Sequence, residues 1–272
     1  MNSKTEALLE KLRSYGSVVV ALSGGVDSAV LAKAAALALG DKAVAVTAVS
    51  ELLSERERQD AAECARLSGL RHILLDAADL AVPEVAENGL ERCYYCKRAR
   101  FQKILQWAAE HHIQAVADGS NVDDNGDYRP GQKALRELQV ASPLAECGFH
   151  KEDIRKQAQL WGLPVWDKPS AACLASRVAY GIPLTKERLY RIEQAEDVLH
   201  KTLPGQLRVR DHGSLARIEL MPEMFESFWR ERENLTHSLK ELGFTYVTLD
   251  LSGYRMGSQN ESGLGVTCLS DR

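Results

Sequence analysis

Short apolar runs alternate with longer periodic stretches along the first half of the chain. The run Ser17-Val18-Val19-Val20-Ala21-Leu22 meets Ser23-Gly24-Gly25, and an alanine- and leucine-rich stretch, Ala29 to Leu39, follows at once. A β-branched run, two glycines and a helix-forming run predict a buried strand, a tight turn and a helix. Lys4 to Tyr15 has the spacing of an amphipathic helix. Lys42–Val49, Arg71–Asp76 and Ala115–Asp118 read as further strands, with helices over Arg56–Leu67 and from about Lys97 to His111. Strands alternating with helices of these lengths imply right-handed βαβ units and a parallel sheet. Ligands of such sheets bind beyond the carboxyl ends of the strands, where Ser23, Thr47–Ser50 and Asp118–Asn121 all fall.

The pattern then changes. Ser142-Pro143-Leu144 leads into a helix over Lys151–Trp161 that ends at Gly162-Leu163-Pro164. After Tyr180-Gly181-Ile182-Pro183 comes a long charged helix, Thr185–Lys201. Strands over Gln206–Arg210 and Leu215–Leu220 flank Asp211-His212-Gly213-Ser214, and a helix (Pro222–Leu242) and a strand (Thr245–Leu251) follow. This β-β-α-β order predicts a small α+β domain. The boundary is drawn near Gly181, giving an α/β domain over 1–180 and a smaller domain over 181–272.

Bulk properties narrow the class. A chain of 272 residues can bury two cores, and 45% hydrophobic with 26% charged residues is ordinary soluble composition. A net charge of −4 gives no global basic field, which argues against a nucleic-acid partner. The start Met-Asn-Ser-Lys-Thr-Glu lacks an apolar signal core, and no apolar stretch approaches the ~20 residues that span a bilayer. A cytoplasmic location without membrane attachment is expected, so six cysteines do not suggest a disulfide framework. Cys64 falls in a helical pattern as a small buried residue; Cys147 and Cys268 receive no role.

Four stretches carry candidate chemistry. In Ser23-Gly24-Gly25-Val26-Asp27-Ser28 the glycines let a ligand approach the backbone, and the amides of the turn and first helical turn favour an anion. Ser23 and Ser28 add hydroxyl donors. No Gly-Lys-Ser/Thr follows, so the loop differs from a Walker A sequence; a packing turn of small residues is the plainer alternative. Asp118-Gly119-Ser120-Asn121-Val122-Asp123-Asp124 suits either Asx turns or a functional loop, in which Asp123 or Asp124 could hold Mg²⁺ through water. Cys93-Tyr94-Tyr95-Cys96-Lys97 supplies half a zinc site, a redox pair or a packed helix start, and Lys97 and Arg98 serve phosphate or surface charge. In Lys168-Pro169-Ser170-Ala171-Ala172-Cys173-Leu174-Ala175-Ser176-Arg177, Cys173 is a buried small residue or a thiolate favoured by Lys168 and Arg177. Farther on, Arg208 and Arg210 share one strand face, as a charged edge or a bidentate phosphate site.

The first loop resembles the pyrophosphate loop of the N-type ATP pyrophosphatases, which cleave ATP to AMP and pyrophosphate. Together with Cys-Tyr-Tyr-Cys-Lys, Asp-Gly-Ser-Asn-Val-Asp-Asp and Lys-Pro-Ser-Ala-Ala-Cys-Leu-Ala-Ser-Arg, it makes essentially the whole chain similar to the LarE family. Those are ATP-dependent sulfur transferases that build the pincer ligand of the nickel cofactor of lactate racemase. The resemblance implies a parallel-sheet PP-loop ATP pyrophosphatase domain of the adenine nucleotide alpha hydrolase type, with a smaller α+β domain for substrate phosphate or oligomerisation. It implies ATP on Ser23, Gly24, Gly25, Asp27, Ser28, Thr47, Ser120 and Asp124, and Mg²⁺ on Asp27, with Glu196 a second metal candidate. It assigns the phosphate of a mononucleotide substrate to Ser176, Arg177, Arg208 and Arg210, and the donated sulfur to Cys173. Cys93, Cys96 and Lys97 are accessory, and a homo-oligomer, a hexamer in the family, is implied. Some relatives hold an iron–sulfur cluster on three cysteines. Cys173 has no cysteine neighbour in its segment, which favours sacrifice of its own sulfur over a cluster unless Cys93 and Cys96 fold onto it. The rival reading is a tRNA thiolase using a persulfide, which the negative charge and the lack of a Lys/Arg-rich tail oppose. A nucleotide-binding regulator is a third.

Overall fold

The computed structural model describes residues 3–126, 130–168 and 172–255. Pro169, Ser170, Ala171 and Cys268, named above, lie outside them. The chain forms two compact units: Met1–Val82 with Cys93–Ala171, and Pro83–Arg92 with Ala172–Arg272.

The first unit is a four-stranded parallel sheet with helices. Its elements are α1 (Ser3–Ser14), β1 (Val18–Ala21), α2 (Val26–Leu39), β2 (Ala43–Val49), α3 (Glu55–Ser68), β3 (Arg71–Asp76), most of α5 (Arg92–Glu110), β4 (Ala115–Ala117), α6 (Pro130–Glu137), α7 (Pro143–Glu146) and α8 (Lys151–Leu160). The short α4 (Pro83–Ala86) belongs to the second unit. The strand order is β3-β2-β1-β4, so β1 is central, with Val18 level with both Ala43 and Ala115. The valine run is buried on both faces, as a strand inside a parallel sheet must be. Val18 and Val20 join a core with Leu8, Leu12, Leu31 and Phe149, whereas Val19 joins Val44, Phe101 and Ile104 in another. Helix α3 is fixed at its start by a capping box, Ser54 with Glu57, and closes on Gly69 at φ +82°.

The predicted parallel sheet and its helices are present. Helix α5 differs from expectation in starting at Arg92, not near Lys97. No proline or glycine separates these positions, so the helix absorbs Cys93-Tyr94-Tyr95-Cys96 into its first turns. The strand bridge Ala117–Ala141 continues the sheet edge beyond β4.

The second unit contains α4, α9 (Lys186–Thr202), β5 (Leu207–Asp211), β6 (Leu215–Leu220), α10 (Phe225–Glu241) and β7 (Tyr246–Leu249). Strands β5 and β6 are antiparallel and β7 runs parallel to β6. One apolar cluster joins Leu199 of α9, Val209 of β5, Ile218 of β6 and Leu235 and Leu239 of α10. The units divide at 171/172, upstream of Gly181, because residues 83–92 clasp the stretch from Ala175 to Ile182. Asn88, fully buried at φ +57°, donates from Nδ2 to the carbonyls of Ala179 and Ile182, both 2.9 Å, and accepts from Arg92. Arg92 also donates to the Ala175 carbonyl at 2.9 Å.

Candidate functional site

The turn after β1 is braced from within. The amide of Leu22 still bonds to Val46 O at 2.9 Å, and the sheet ladder ends there. Ser28 is 4% exposed; its hydroxyl donates to Gly25 O at 3.0 Å and accepts from the Ser23 amide at 3.2 Å. Ser28 therefore shapes the loop, while Ser23 and, in part, Gly25 and Asp27 face outward. Gly24 sits at φ +76°, and a Cβ there would lie 2.8 Å from the amide nitrogen of Ala61. Gly25 is the N-cap of α2, and no side chain of the described residues caps that helix. Its first amides and its dipole are left for an anion.

The 118–124 loop lies against this turn. Asp118, nearly buried, accepts from the Ser120 and Ser142 hydroxyls at 2.7 and 2.8 Å and pairs with Lys97 at 3.4 Å. Asn121, also buried, donates to Asp27 at 3.4 Å. Asp123 accepts from the Lys151 amide and from His150 Nδ1, both 2.7 Å. These two bonds hold its carboxyl below the usual range, the Lys151 amide contributing most. The Lys151 ammonium pairs with Asp27. The structure thus brings Ser23, Gly25, Asp27, Ser120 and Lys97 to one region, with Asp118, Asn121 and Lys151 besides. Sequence reasoning gave no role to Asn121 or Lys151. A lysine opening a helix reads as surface charge until the fold shows what faces it.

Some expected ligands turn inward instead. Thr47 is 1% exposed, and its hydroxyl donates to Leu22 O at 2.7 Å and contacts His72 Nε2 at 2.8 Å, so it ties strand ends together and presents no hydroxyl to ATP. Asp124 accepts from the Asn121 amide at 3.0 Å and shapes its own loop. Lys168 pairs with Asp60, also in the first unit. Cys64 packs against Gly24 O, and burial pushes its thiol up to about 11. Cys93 is exposed and Cys96 half-buried on α5.

The second unit assembles the other candidates. The Cys173 carbonyl accepts from the Ser176 amide (2.9 Å), the Ser176 hydroxyl (2.8 Å) and Arg177 (2.9 Å), which fixes the backbone of a half-buried cysteine. Arg177 is buried and grips Glu196 at 3.0 and 3.1 Å. Glu196 also accepts from the Val209 amide at 3.1 Å. Burial alone would raise the Glu196 carboxyl, but Arg177, together with Arg208 and the Val209 amide, outweighs it and the net direction is down. Arg210 is spent on Glu219 (2.7 Å) and on Ser176 O (2.8 Å). Arg208 differs: no carboxylate of the described residues pairs with it, and it lies 5.4 Å from the Tyr254 ring. Burial and then the nearby Arg177 push its guanidinium below the ordinary value. A cation with that surplus is suited to an incoming anion, and the pair is no solvated edge.

Among the described residues no three His, Cys, Asp or Glu side chains converge as a metal site. A Mg²⁺ ion carried largely by nucleotide phosphates needs only one or two protein carboxylates. Asp27, partly exposed at the phosphate-facing turn, fits that need. Glu196 does not, since both its oxygens already accept from Arg177.

A glycine-braced strand-to-helix turn with open amides, at the carboxyl end of a central parallel strand, defines a PP-loop nucleotide-binding protein. A PP-loop domain model matches residues 1–127. The chain is 41% identical over 262 residues to an uncharacterized protein of Synechocystis, covering 96% of this chain and 98% of that one. It is 35% identical over 261 residues to pyridinium-3,5-bisthiocarboxylic acid mononucleotide synthase of Lactiplantibacillus plantarum, covering 96% and 95%. Similarity to a tRNA-specific 2-thiouridylase of Xanthobacter autotrophicus is weaker, 29% over 235 residues and 60% of that chain. The chain belongs to the LarE family of ATP-dependent sulfurtransferases.

Proposed function

We propose that the chain makes a thiocarboxylate on a pyridinium mononucleotide destined for a nickel-pincer cofactor, using ATP and the sulfur of Cys173. The observation that carries this reading is the open turn Ser23–Asp27, in a chain similar over nearly its full length to a synthase of that product. Bound Mg²⁺ would offset phosphate charge, and Asp27 would hold it. The turn amides and the α2 dipole orient the triphosphate so that a substrate carboxylate oxygen attacks the α-phosphorus. The bond from that phosphorus to the bridging oxygen breaks, and pyrophosphate leaves with the electron pair.

The Cys173 thiol loses its proton, and the thiolate attacks the acyl carbon; AMP leaves and a thioester remains. Removal of the Cys173 α-proton then expels the thiocarboxylate as the Cβ–S bond breaks, leaving dehydroalanine. Each thiolation consumes one chain. Arg208 supplies the cation for the substrate phosphate, with Arg177, Arg210 and Ser176 holding it in place. We place the protein in the cytoplasm, as a homo-oligomer.

Intact-mass measurement after incubation with ATP, Mg²⁺ and a pyridinium carboxylate mononucleotide tests this reading. The chain should lose the mass of H₂S, mapped to residue 173, and Cys173→Ala should release pyrophosphate but form no thiolated product. Repeated turnover on added sulfide with Cys173 intact would overturn the sacrificial step. The thiouridylase alternative predicts pyrophosphate release stimulated by tRNA and not by the mononucleotide.

A further inference from the structure

Arg208 has an aromatic neighbour to which the proposed reaction gives no task. Its guanidinium carbon stands 5.4 Å from the centre of the Tyr254 ring, inside the roughly 6 Å at which an aromatic face attracts a cation. That ring is fixed at both ends. The Tyr254 amide donates to the Leu220 carbonyl at 2.8 Å, and its hydroxyl accepts from Gln206 Nε2 at 2.9 Å. The chain enters through Gly253 at φ +69°, where a Cβ would lie 2.9 Å from the same Leu220 oxygen. Tyr254 is half-buried, so water only partly weakens what its face attracts. Arg208 is the movable partner. Among the described residues its side chain makes one hydrogen bond, from Nη1 to the carbonyl of Leu207 at 2.6 Å, one residue back in the chain.

A phosphate reaching Arg208 takes the guanidinium by charged hydrogen bonds, which exceed the hold of a ring on the same cation. The Tyr254 face then stands open beside the bound phosphate. We propose that Tyr254 is the platform for the substrate's pyridinium ring, its face holding Arg208 in the ligand-free chain and the cationic ring in the complex. A pyridinium is flat and keeps its positive charge at every pH, so it suits an immobile aromatic face that a guanidinium has left. Neighbouring residues thus read the two ends of the mononucleotide, Arg208 the anion and Tyr254 the cation.

The inference rests on the pyridinium mononucleotide reading, and calorimetric titration of the full chain separates the two. One ligand is a pyridinium-3-carboxylate mononucleotide; the other is its dihydropyridine counterpart, which keeps the phosphate, ribose and carboxylate but carries no ring charge. The wild-type chain should prefer the charged ring. Tyr254→Leu is expected to weaken binding of the pyridinium roughly two- to thirtyfold, the range for a cation on an aromatic face, and that of the dihydropyridine much less. Tyr254→Phe keeps the face and should retain most of the preference. Equal wild-type affinity for the two ligands, or equal loss of both in Tyr254→Leu, would overturn the platform and leave the mononucleotide site standing. Failure of the wild-type chain to bind either ligand would overturn the mononucleotide reading, and the platform with it.

Discussion

Gly119 stands so close to Ser28 that a Cβ on the glycine would lie 2.9 Å from the Ser28 backbone nitrogen. Two loops far apart in sequence meet there backbone to backbone, and neither can give way without deforming the turn. Gly119→Ala should therefore destabilise the protein by roughly 1–3 kcal/mol, the usual range for overpacking, and weaken ATP binding. Chemical denaturation and nucleotide titration measure the two effects; an unchanged ATP affinity would show that the 118–124 loop does not shape the cradle.

The two glycines of the turn should separate fold from function. Gly25 is at φ −84°, and an added Cβ would find nothing nearer than Ser23 Oγ at 3.5 Å. Gly25→Ala should fold normally yet lose most pyrophosphate release, because the methyl would meet the incoming phosphates. Gly24→Ala should lower the melting temperature instead, since φ +76° and the 2.8 Å approach to Ala61 both oppose a side chain. Full activity of Gly25→Ala would take the turn out of the catalytic site.

Arg208 and Arg210 should also behave differently despite sharing a strand face. Arg210→Ala takes one guanidinium from the fully buried Glu219 carboxylate, which Arg217 also contacts, and should cost about 3–5 kcal/mol of stability. Arg208→Ala breaks no ion pair among the described residues; it should leave the melting temperature nearly unchanged. Binding of the phosphorylated substrate should weaken by about 1.5–3 kcal/mol. Measurements with phosphorylated and dephosphorylated substrate check this, and equal loss for both would remove the phosphate from Arg208.

Glu196 predicts a pH dependence. Its carboxyl is held below its unfolded value by Arg177 against the opposing effect of burial, so its contribution is present above an unfolded pKa of about 4.3. That contribution is lost as pH falls through the lower folded value. Glu196→Gln should cost about 3–5 kcal/mol at pH 7, and the gap from wild type should shrink below about pH 4. Urea titrations across this range test it; a gap constant with pH would mean that the carboxyl titrates alike in the folded and unfolded chain.

The parallel sheet was legible because Val18–Val20 admits few environments other than a strand buried on both faces. The turn was legible because its glycines, Asp27 and serines sit together in sequence. The direction of the Ser28 and Thr47 hydroxyls is not legible in sequence; both are turned onto backbone carbonyls. The beginning of α5 was placed late because cysteine and tyrosine have no strong helical preference, and nothing local marks Arg92 as a start. Lys151 was legible only as the start of a helix, and Asn121 only as part of its loop. Their importance lies in meeting Asp27, a relation 124 and 94 residues long in sequence.

The Asn88 clasp has a consequence for how the chain is made. Its partners, the carbonyls of Ala179 and Ile182, lie 91 and 94 positions downstream. At a ribosomal rate of roughly 5–20 residues per second, Asn88 emerges on the order of 5–20 s before either partner exists. Throughout that interval the newborn segment 83–92 has no permanent place, while the sheet on either side of it in sequence can assemble as soon as β4 (Ala115–Ala117) is made. A pause in synthesis between codons 93 and 172 would prolong that exposure. The same pause after codon 184 would not.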